Sequence, residues 1–336
     1  MTRFLICGLG SIGRRHLRNL RSLGEKDVVL LRTGKSTLPD DDLAGLPIER
    51  DLEAALDRWR PEAVIISNPT ALHLEVAIPA AQKGCHLLIE KPLSHSVDRI
   101  GELRSAVAAG GGKVLMGFQF RFHPGLQLVK RLLQEGAIGR PLSVRAHWGE
   151  YLPGWHPWED YRLSYSARTD LGGGVVLTLC HPFDYLHWLL GEVASVSARV
   201  GKLSDLDLEV EDTAEIGLGF AAGLAGSVHL DFVQRPPEHH LEVIGGQGTI
   251  VWDGLEGSTR LFTAERGAWQ MFPAPSGFER NDMFVAEMRH FIEVVRGKAA
   301  PACTLEDGES ALRLAIGVLD SSRERRLVSF MEGTSR

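Results

Sequence analysis

Short apolar runs alternate with amphipathic stretches over the first third of the chain. The apolar runs contain few polar positions, as is typical of strands covered on both faces. They predict strands at residues 3–7, 27–31, 63–67, 85–89 and 114–117. Between them, leucines at helical spacing predict a helix over 12–23, and Asp51 suits the N-cap of a second helix. Strands that alternate with helices predict right-handed βαβ units and a doubly wound parallel sheet.

The pattern changes beyond Phe118. Between residues 142 and 272 apolar and polar positions alternate, as in 212–220, and several links between the alternating runs are short and contain glycine. This pattern predicts a large, mainly antiparallel sheet with one covered face. We expect the other face to be apolar enough to pair with a second copy, which would give a homodimer or a homotetramer.

The two patterns predict two domains, which suits a length of 336 residues. We place a first domain, of the α/β class, at residues 1–120. A second domain, of the α+β class, is expected at residues 121–336. An amphipathic helix over 307–323 near the end of the sequence is expected to pack back on one of the two domains.

Composition and charge exclude several classes of protein. Hydrophobic residues make up 44% of the chain and charged residues 24%, which argues against disorder. The formal net charge of −6 favours neither nucleic acid nor an anionic membrane as a partner. No apolar run approaches the ~20 residues that span a bilayer. The four cysteines form no C-x-x-C pair, so we expect a cytoplasmic protein without a disulfide framework.

A G-x-G-x-x-G motif lies directly after the first predicted strand, at the start of the first predicted helix. Gly8 permits a tight turn, Gly10 lets the backbone approach a pyrophosphate, and Gly13 lets the helix pack closely on the strand. With Ser11 and Ile12, these glycines would hold the pyrophosphate at the helix N-terminus. The motif in this context predicts a dinucleotide-binding domain.

The second predicted strand ends in basic residues. An Asp or Glu at this place binds the adenosine ribose of a dinucleotide, whereas this chain has Arg32, Lys35 and Ser36. Two cations and a hydroxyl suit the 2′-phosphate of NADP(H), so we expect NADP(H) as the favoured cofactor and NAD(H) as the alternative. A solvated basic turn without a cofactor role is the competing interpretation.

Further motifs follow in a fixed order: a P-x-x-x-H segment at 69–73, an E-K-P motif at 90–92, the segment 117–124, and three glycines at 172–174 before His181. In order and spacing, these motifs resemble the Gfo/Idh/MocA oxidoreductase family over nearly the whole chain. The resemblance implies a Rossmann fold in the first domain. It also implies hydride transfer between a nicotinamide and a hydroxyl or ketone of a sugar, sugar acid, sugar nucleotide or cyclitol.

The resemblance further implies residue roles. The segment ending at His73 would lie near the nicotinamide, and the segment around His181 would belong to the substrate site. Besides the glycine turn, cofactor contacts are expected from Asn68, Pro69, Thr70, His73, Glu90 and Lys91. Substrate contacts are expected from Arg121, Thr178 and Asp184.

Lys91 is the first candidate for proton transfer. Because it precedes a proline, its backbone is biased toward the extended conformation, and it follows a strand at the carboxyl edge of the sheet, where ligands bind. Desolvation there can lower the pKa of a lysine toward neutrality, so Lys91 suits a general acid or base. The alternative is a contact with the phosphate or ribose of the cofactor alone.

His181 is the second candidate for proton transfer. Pro182 suits the first position of a helix, so we expect His181 at the N-cap, where the positive helix end disfavours the imidazolium. We expect Lys91 and His181 in one cleft between the domains. A structural histidine beside an aromatic-rich helix is the alternative.

An aromatic and basic segment begins near residue 154. Tryptophan faces stack on sugars, and arginine pairs with carboxylate or phosphate. Substrate contacts are therefore also expected from Trp155, Trp158, Tyr161 and Arg168. A packed loop or an oligomer contact is the alternative. The sequence shows no metal-ligand pattern, since His239 and His240 are adjacent and no H-E-x-x-H occurs, so no metal site is expected.

One position departs from the pattern of the family. Leu177 lies four residues before His181, where the family commonly has an aspartate. The departure keeps a second function open, that of a non-catalytic regulatory protein which senses a dinucleotide or a sugar. A reaction that opens or eliminates a sugar bond through a transient hydride is a third possibility.

Overall fold

The computed structural model describes residues 2–32, 34, 43–157 and 159–330. The chain forms two compact units, and each is assembled from separate stretches of sequence. The first unit comprises Met1–Gln119, Asp170–Gly172 and Arg280–Glu309. The second comprises Phe120–Thr169, Gly173–Glu279 and Ser310–Arg336. The chain therefore crosses between the units several times. The predicted domains, residues 1–120 and 121–336, stay a prediction.

The first unit contains a six-stranded sheet in which all strand pairs are parallel. Its strands are β1 (Phe4–Cys7), β2 (Val28–Leu31), β3 (Ile48–Glu49), β4 (Ala63–Ile66), β5 (His86–Glu90) and β6 (Val114–Gly117). Their order across the sheet is β3-β2-β1-β4-β5-β6. The predicted doubly wound parallel sheet is confirmed. Only β3 was not predicted, because two residues are too few to produce a hydrophobic pattern.

Helices flank this sheet. They are α1 (Ser11–Ser22), α2 (Leu52–Trp59), α3 (His73–Gln82), α4 (Ile100–Gly110) and α8 (Arg280–Val295). The predicted N-cap of α2 is confirmed, since a carboxylate oxygen of Asp51 accepts a hydrogen bond of 2.8 Å from the backbone N–H of Ala54. Helix α8 packs on β1, where the rings of Phe4 and Phe291 meet edge to face with centroids 6.4 Å apart. This contact explains why a late stretch of sequence belongs to the first unit.

The second unit contains a nine-stranded sheet. Its strands are β7 (Pro141–Gly149), β8 (Val193–Gly201), β9 (Thr213–Phe220), β10 (Ala225–Asp231), β11 (Glu238–Gly245), β12 (Gly248–Asp253), β13 (Thr259–Thr263), β14 (Ala268–Phe272) and β15 (Val328–Ser329). The order is β14-β13-β12-β11-β7-β10-β9-β8-β15. All neighbours are antiparallel except β7 and β10. The predicted, mainly antiparallel sheet is confirmed.

The two faces of this sheet differ in polarity. One face is buried and apolar, as in β9, where Ala214, Ile216 and Leu218 are at most 4% exposed. The alternate positions of β9, such as Glu215 and Gly217, lie on the other face. That outward face also carries histidines, serines and charged residues of the neighbouring strands. The expectation of an apolar outward face was wrong, because the alternation places polar and small residues there.

The remaining helices are α5 (Pro124–Gln134), α6 (Val175–Thr178), α7 (His181–Leu190) and α9 (Leu305–Glu324). Helix α9 includes the predicted helix over 307–323, and its last turns belong to the second unit, where they contact β8. The backbone N–H of Ala198 on β8 donates to the Ser321 hydroxyl at 3.0 Å, and that of Val200 donates to the Ser322 hydroxyl at 2.8 Å. Within the described ranges, no helix has the length and apolar character that a membrane span requires.

Candidate functional site

The turn between β1 and α1 has the close packing that its glycines predict. Gly8 has a φ of +91°, and a Cβ there would lie 2.4 Å from the backbone nitrogen of Asn68. A Cβ on Gly13 would lie 1.9 Å from the carbonyl oxygen of Gly8. At Gly10, by contrast, a Cβ would meet no described atom within 4 Å. The turn is thus tight on its protein side and open beside Gly10, as close approach of a pyrophosphate requires.

The N-terminus of α1 suits an anion. Gly10 is the N-cap, and in the part of the chain described here no side chain caps the helix and no acidic residue lies in its first turn. The first backbone N–H groups of a helix lack intrahelical acceptors and form its positive end. Ser11, Ile12 and Gly13 supply these groups, so this end of the helix can hold a phosphate.

Most of the residues predicted to bind the cofactor meet at one edge of the parallel sheet. Strands β1, β4 and β5 are neighbours, so the segments that follow their carboxyl ends are neighbours as well. These segments contain the glycine turn, Asn68 to His73, and Glu90 with Lys91. Arg32 directly follows β2, the next strand on the other side of β1. Lys35 and Ser36 lie outside the described residues.

His73 joins two of these segments. Its Nδ1 lies 2.9 Å from the carbonyl oxygen of Pro92 and its Nε2 lies 3.0 Å from that of Asn68. The ring is buried, and burial lowers its pKa, although the bonds to backbone oxygens act in the opposite direction. Thr70 is also buried. The His73 ring therefore ties the two segments together next to Lys91, and a direct contact of His73 or Thr70 with the cofactor stays a prediction.

Glu90 is the last residue of β5, and it is 6% exposed. One of its carboxylate oxygens lies 2.8 Å from Nε2 of His16 on α1, and the other accepts a bond of 3.3 Å from the backbone N–H of Lys91. Burial works to raise the pKa of Glu90, but the hydrogen bond and charge of His16, with Lys91 and His73, hold it below its ordinary value. Glu90 therefore anchors the backbone that carries Lys91.

Glu287 of α8 completes a buried cluster with His16 and Glu90. One potential ligand atom from each of the three residues lies within 4.8 Å of the others. Glu287 is 0% exposed, and its carboxyl oxygens have no hydrogen-bond partner among the described residues. Burial raises the pKa of Glu287 well above its ordinary value, and the charge of Glu90 raises it further. Glu287 is therefore expected to stay protonated to a higher pH in the folded protein than in the unfolded chain.

Glu287→Gln is expected to make stability less dependent on pH. The folded protein keeps Glu287 protonated where the unfolded chain ionises it, so the wild type loses stability as the pH rises above about 4.3. Above that pH, the free energy of unfolding of the variant should increase relative to that of the wild type. The gain amounts to up to about 1.4 kcal/mol per pH unit until the folded Glu287 ionises.

Urea unfolding at a series of pH values measures this difference. Glu293→Gln is the matched control, since Glu293 lies on the same helix and is exposed. A difference between wild type and Glu287→Gln that does not change with pH would contradict the protonated state.

In the second unit, His181 is the first residue of α7 and Cys180 is its N-cap. The expected N-cap position of His181 was wrong by one residue, because Pro182 occupies the second helical position instead of the first. His181 is 2% exposed. Its ring meets those of Phe120 and Trp148, with centroid distances of 4.9 and 5.4 Å. Aromatic packing thus fixes the orientation of the imidazole.

Arg121 and Asp184, both predicted to contact substrate, form a buried ion pair. Nη2 of Arg121 lies 2.7 Å from one carboxylate oxygen of Asp184, and Nε lies 3.1 Å from both oxygens. The two side chains are 4% and 1% exposed. The pair links the turn before α5 to α7. A role of either residue in substrate binding stays a prediction.

The three glycines at 172–174 lead to a carboxyl group that the sequence analysis missed. Gly174 has a φ of +101°, and a Cβ there would lie 2.3 Å from Oε1 of Glu211. The same oxygen accepts a bond of 3.2 Å from the backbone N–H of Val176 in α6, the helix that also carries the buried Thr178. Burial raises the pKa of Glu211 to about 7, so this group can exchange a proton near neutral pH.

The aromatic segment after β7 is packed within the second unit. The ring of Trp155 meets that of Phe232 edge to face, with centroids 5.6 Å apart. The Tyr161 hydroxyl accepts a bond of 3.1 Å from the backbone N–H of Asp207. The carbonyl oxygen of Arg168 accepts a bond of 2.9 Å from Gly173. Trp158 lies outside the described residues. Contacts of this segment with a substrate stay predictions.

Two family models match the chain in sequence order. The model described as an oxidoreductase family with an NAD-binding Rossmann fold matches residues 2–118. The model described as the GFO/IDH/MocA C-terminal domain matches residues 126–251. The glycine turn, Lys91 and the predicted Rossmann sheet fall within the first match.

Several known proteins are similar to this chain over most of its length. An uncharacterized oxidoreductase of Synechocystis sp. is 30% identical over 76% of this chain and 71% of its own length. A myo-inositol 2-dehydrogenase of Thermotoga maritima is 26% identical over 97% and 98%. A levoglucosan dehydrogenase solved with NADH and levoglucosan has the same fold, with a TM-score of 0.86 and 20% identity over 98% of this chain and 100% of that one. The chain therefore belongs to the Gfo/Idh/MocA oxidoreductase family.

Proposed function

We propose that this chain is a nicotinamide-dependent dehydrogenase or reductase that acts on a secondary hydroxyl, or the corresponding ketone, of a sugar, sugar acid, sugar nucleotide or cyclitol. The observation that carries this proposal lies in the first unit. The open glycine turn and Lys91 lie at the same carboxyl edge of one parallel sheet. A lysine, whose amine can act as a general acid or base, is thus carried at the edge where we propose that a dinucleotide binds.

The residues of the glycine turn fit a dinucleotide. The space beside Gly10 admits a pyrophosphate, and the first-turn N–H groups of α1 would bind it. The segments held by His73 and Glu90 would enclose the nicotinamide end. When bound, the nicotinamide supplies or accepts the hydride.

Lys91 is proposed as the residue that exchanges a proton with the reacting oxygen. Glu90 holds the backbone N–H of Lys91, and β5 fixes where the side chain begins. In oxidation the Lys91 amine would accept the hydroxyl proton, and in reduction its ammonium would donate a proton to the new alkoxide. His181 is proposed as a second group that donates to or accepts from the same oxygen.

The substrate class rests on chemistry and on relatives. Two of the relatives are named for inositol and for levoglucosan, which are both polyhydroxy compounds. The predicted contact residues of the second unit include tryptophan, tyrosine and arginine, which suit sugar faces and anionic groups. The proposal therefore covers neutral and acidic carbohydrates.

Incubation with a panel of sugars, sugar acids and cyclitols, with each nicotinamide cofactor in turn, tests the proposal. We expect a change in nicotinamide absorbance with at least one member. Binding of the cofactor without redox change across a broad panel would support the regulatory alternative that Leu177 keeps open. Spectra of the bound cofactor would reveal a transient hydride in a reaction without net redox change.

We further propose a preference for NADP(H). Arg32 directly follows β2, and its backbone N–H is held by the carbonyl oxygen of Glu49 at 2.9 Å. Its guanidinium can form two hydrogen bonds with a 2′-phosphate. The relative solved with levoglucosan contains NADH, so the proposal rests on Arg32 and on Lys35 and Ser36 beyond it.

NADPH is expected to bind about 10–100-fold more tightly than NADH, because hydrogen bonds to charged groups contribute roughly 1.5–3 kcal/mol each and Arg32 is only half-buried, which favours the low end of that range. Arg32→Asp should reverse the order, since a carboxylate repels the phosphate and binds the ribose. Fluorescence titration with both reduced cofactors measures this. Arg131→Asp, an exposed change on α5, is the charge-matched control. Equal affinities, or tighter binding of NADH, would contradict the preference.

A homodimer or homotetramer through the outward face of the second sheet is also proposed. On β8 and β9 this face carries small residues, including Ser195, Ser197, Gly217 and Gly219. Side chains this small would let a second sheet approach closely, and isologous dimers are the commonest closed assembly. Light scattering at micromolar concentration should report a dimer or a tetramer, and a monomer would remove this proposal.

A further inference from the structure

A row of imidazole rings crosses the outward face of the second sheet. Strand pairing places His229 of β10 opposite His147 of β7, and His147 opposite His240 of β11. The rings of His147 and His229 are stacked, with centroids 4.5 Å apart, and those of His147 and His240 are 5.3 Å apart. Three histidines thus share one surface in the middle of the sheet.

Asp231 adds a carboxylate to this row. It lies two residues after His229 on β10, so both side chains are on the same face. The Oδ2 atom of Asp231 is 3.0 Å from Nε2 of His229. One potential ligand atom from each of His147, His229 and Asp231 lies within 4.8 Å of the other two.

We propose that His147, His229 and Asp231 bind a divalent zinc ion. Two imidazole nitrogens and one carboxylate oxygen are a frequent zinc ligand set, with a further ligand from solvent or from a neighbouring side chain. The site lies within the second unit, and the ion would tie β7 to β10. It is separate from the residues proposed for proton transfer.

Hydrogen bonds from neighbouring groups orient His229 and Asp231 for metal binding. Nδ1 of His229 lies 2.6 Å from a carboxylate oxygen of Glu215, so this nitrogen carries the proton and Nε2 is left for the metal. Oδ1 of Asp231 accepts the backbone N–H groups of Val233 and Gln234 at 2.7 and 2.6 Å. These bonds turn Oδ2 toward the histidines. The Asp231 side chain is only 4% exposed.

Gly149, at the end of β7, lies opposite Asp231. A Cβ at Gly149 would lie 2.2 Å from Oδ2 of Asp231 and 2.2 Å from Oε1 of Gln234. The amide oxygen of Gln234 also lies 2.5 Å from Nε2 of His147. In this structure the amide oxygen accepts a hydrogen bond from that nitrogen, and with a metal in the proton's place Gln234 would be near enough to supply a fourth ligand, an oxygen. Because Gly149 has no side chain, the Asp231 and Gln234 oxygens can occupy this place beside His147.

A proton is the competing occupant of these positions. His229 as an imidazolium would donate to both Glu215 and Asp231 and would satisfy the same contacts. A zinc ion and this proton exclude each other at Nε2 of His229. Metal binding must therefore release protons, and its affinity must fall at acidic pH.

Calorimetric titration of the chelator-treated full chain with zinc chloride, without nicotinamide or sugar, tests the site. We expect one ion per chain with micromolar or tighter affinity. Cobalt(II) in place of zinc should give the visible absorption of a four-coordinate ion. Because Glu215 contacts a ligand and not the metal, Glu215→Gln should weaken binding by about 10–100-fold.

Two ligand variants locate the ion. His147→Ala and Asp231→Asn should weaken binding more than Glu215→Gln does, and the asparagine keeps an oxygen for the two backbone N–H groups. His240→Ala removes the one ring of the row that is not a proposed ligand, so this variant should bind zinc as the wild type does. Thermal unfolding in chelator shows that each variant is folded. No saturable zinc binding, or equal binding by wild type and His147→Ala, would overturn the proposal.

Discussion

Replacement of Lys91 with methionine is expected to lower turnover by ~10²–10⁴-fold, the span typical of a lost general acid or base. Methionine keeps an unbranched side chain of similar length and removes only the amine that exchanges the proton. Glu90 would still hold the backbone at this position. Folding and cofactor affinity should therefore stay nearly unchanged.

The turnover of the Lys91 variant is measured at saturating substrate, beside titrations of both reduced cofactors. Lys113→Met is the matched control, because Lys113 is exposed and directly precedes β6. It therefore lies at the amino ends of the parallel strands, whereas Lys91 lies at their carboxyl ends. His181→Ala should lower turnover by a smaller factor if Lys91 is the main proton acceptor. An unchanged rate in the Lys91 variant would remove its assigned role.

Arg121→Met is expected to lower the free energy of unfolding by about 3–5 kcal/mol, the cost of breaking a buried ion pair. The Asp184 side chain is 1% exposed and accepts bonds from Nε and Nη2 of Arg121. Without the guanidinium, a carboxylate would remain buried without its counter-charge. Urea unfolding of the variant and the wild type measures the loss.

A double variant separates the ion pair from simple loss of packing. Arg121→Met with Asp184→Leu removes both charges, so it should recover most of the stability that the single change loses. Arg131→Met, which breaks the exposed contact with Glu135 on α5, should cost far less. An effect of Arg121→Met as small as that of Arg131→Met would show that the buried pair contributes little.

The sequence predicted those parts of the fold that repeat a pattern over several residues. Both sheets and the cap of α2 at Asp51 are examples. The strands β3 and β15, with two residues each, carry too little pattern to be found. The packing of α8 on β1 depends on the contact between Phe4 and Phe291, which are far apart in the sequence.

The residues of the candidate site also fall into two groups, those that the sequence could suggest and those that only the structure reveals. Gly10 and Lys91 lie in contiguous motifs, so the sequence was enough to propose a role for each of them. Glu287 and Glu211 could not be found, because an ordinary glutamate acquires a raised pKa only from the residues that bury it. The family resemblance also implied separate substrate roles for Arg121 and Asp184, and only the folded chain brings them together as a pair.

Transfer of deuterium tests the proposed hydride chemistry most directly. The protein is incubated with a panel of keto sugars and keto cyclitols and with a reduced cofactor that carries deuterium at both C4 positions of the nicotinamide ring, and the products are analysed by mass spectrometry. We expect deuterium on the carbon of a newly formed secondary alcohol, and Lys91→Met should abolish most of it. Tight cofactor binding with no deuterium in any product would contradict the assignment of this chain as a carbohydrate oxidoreductase.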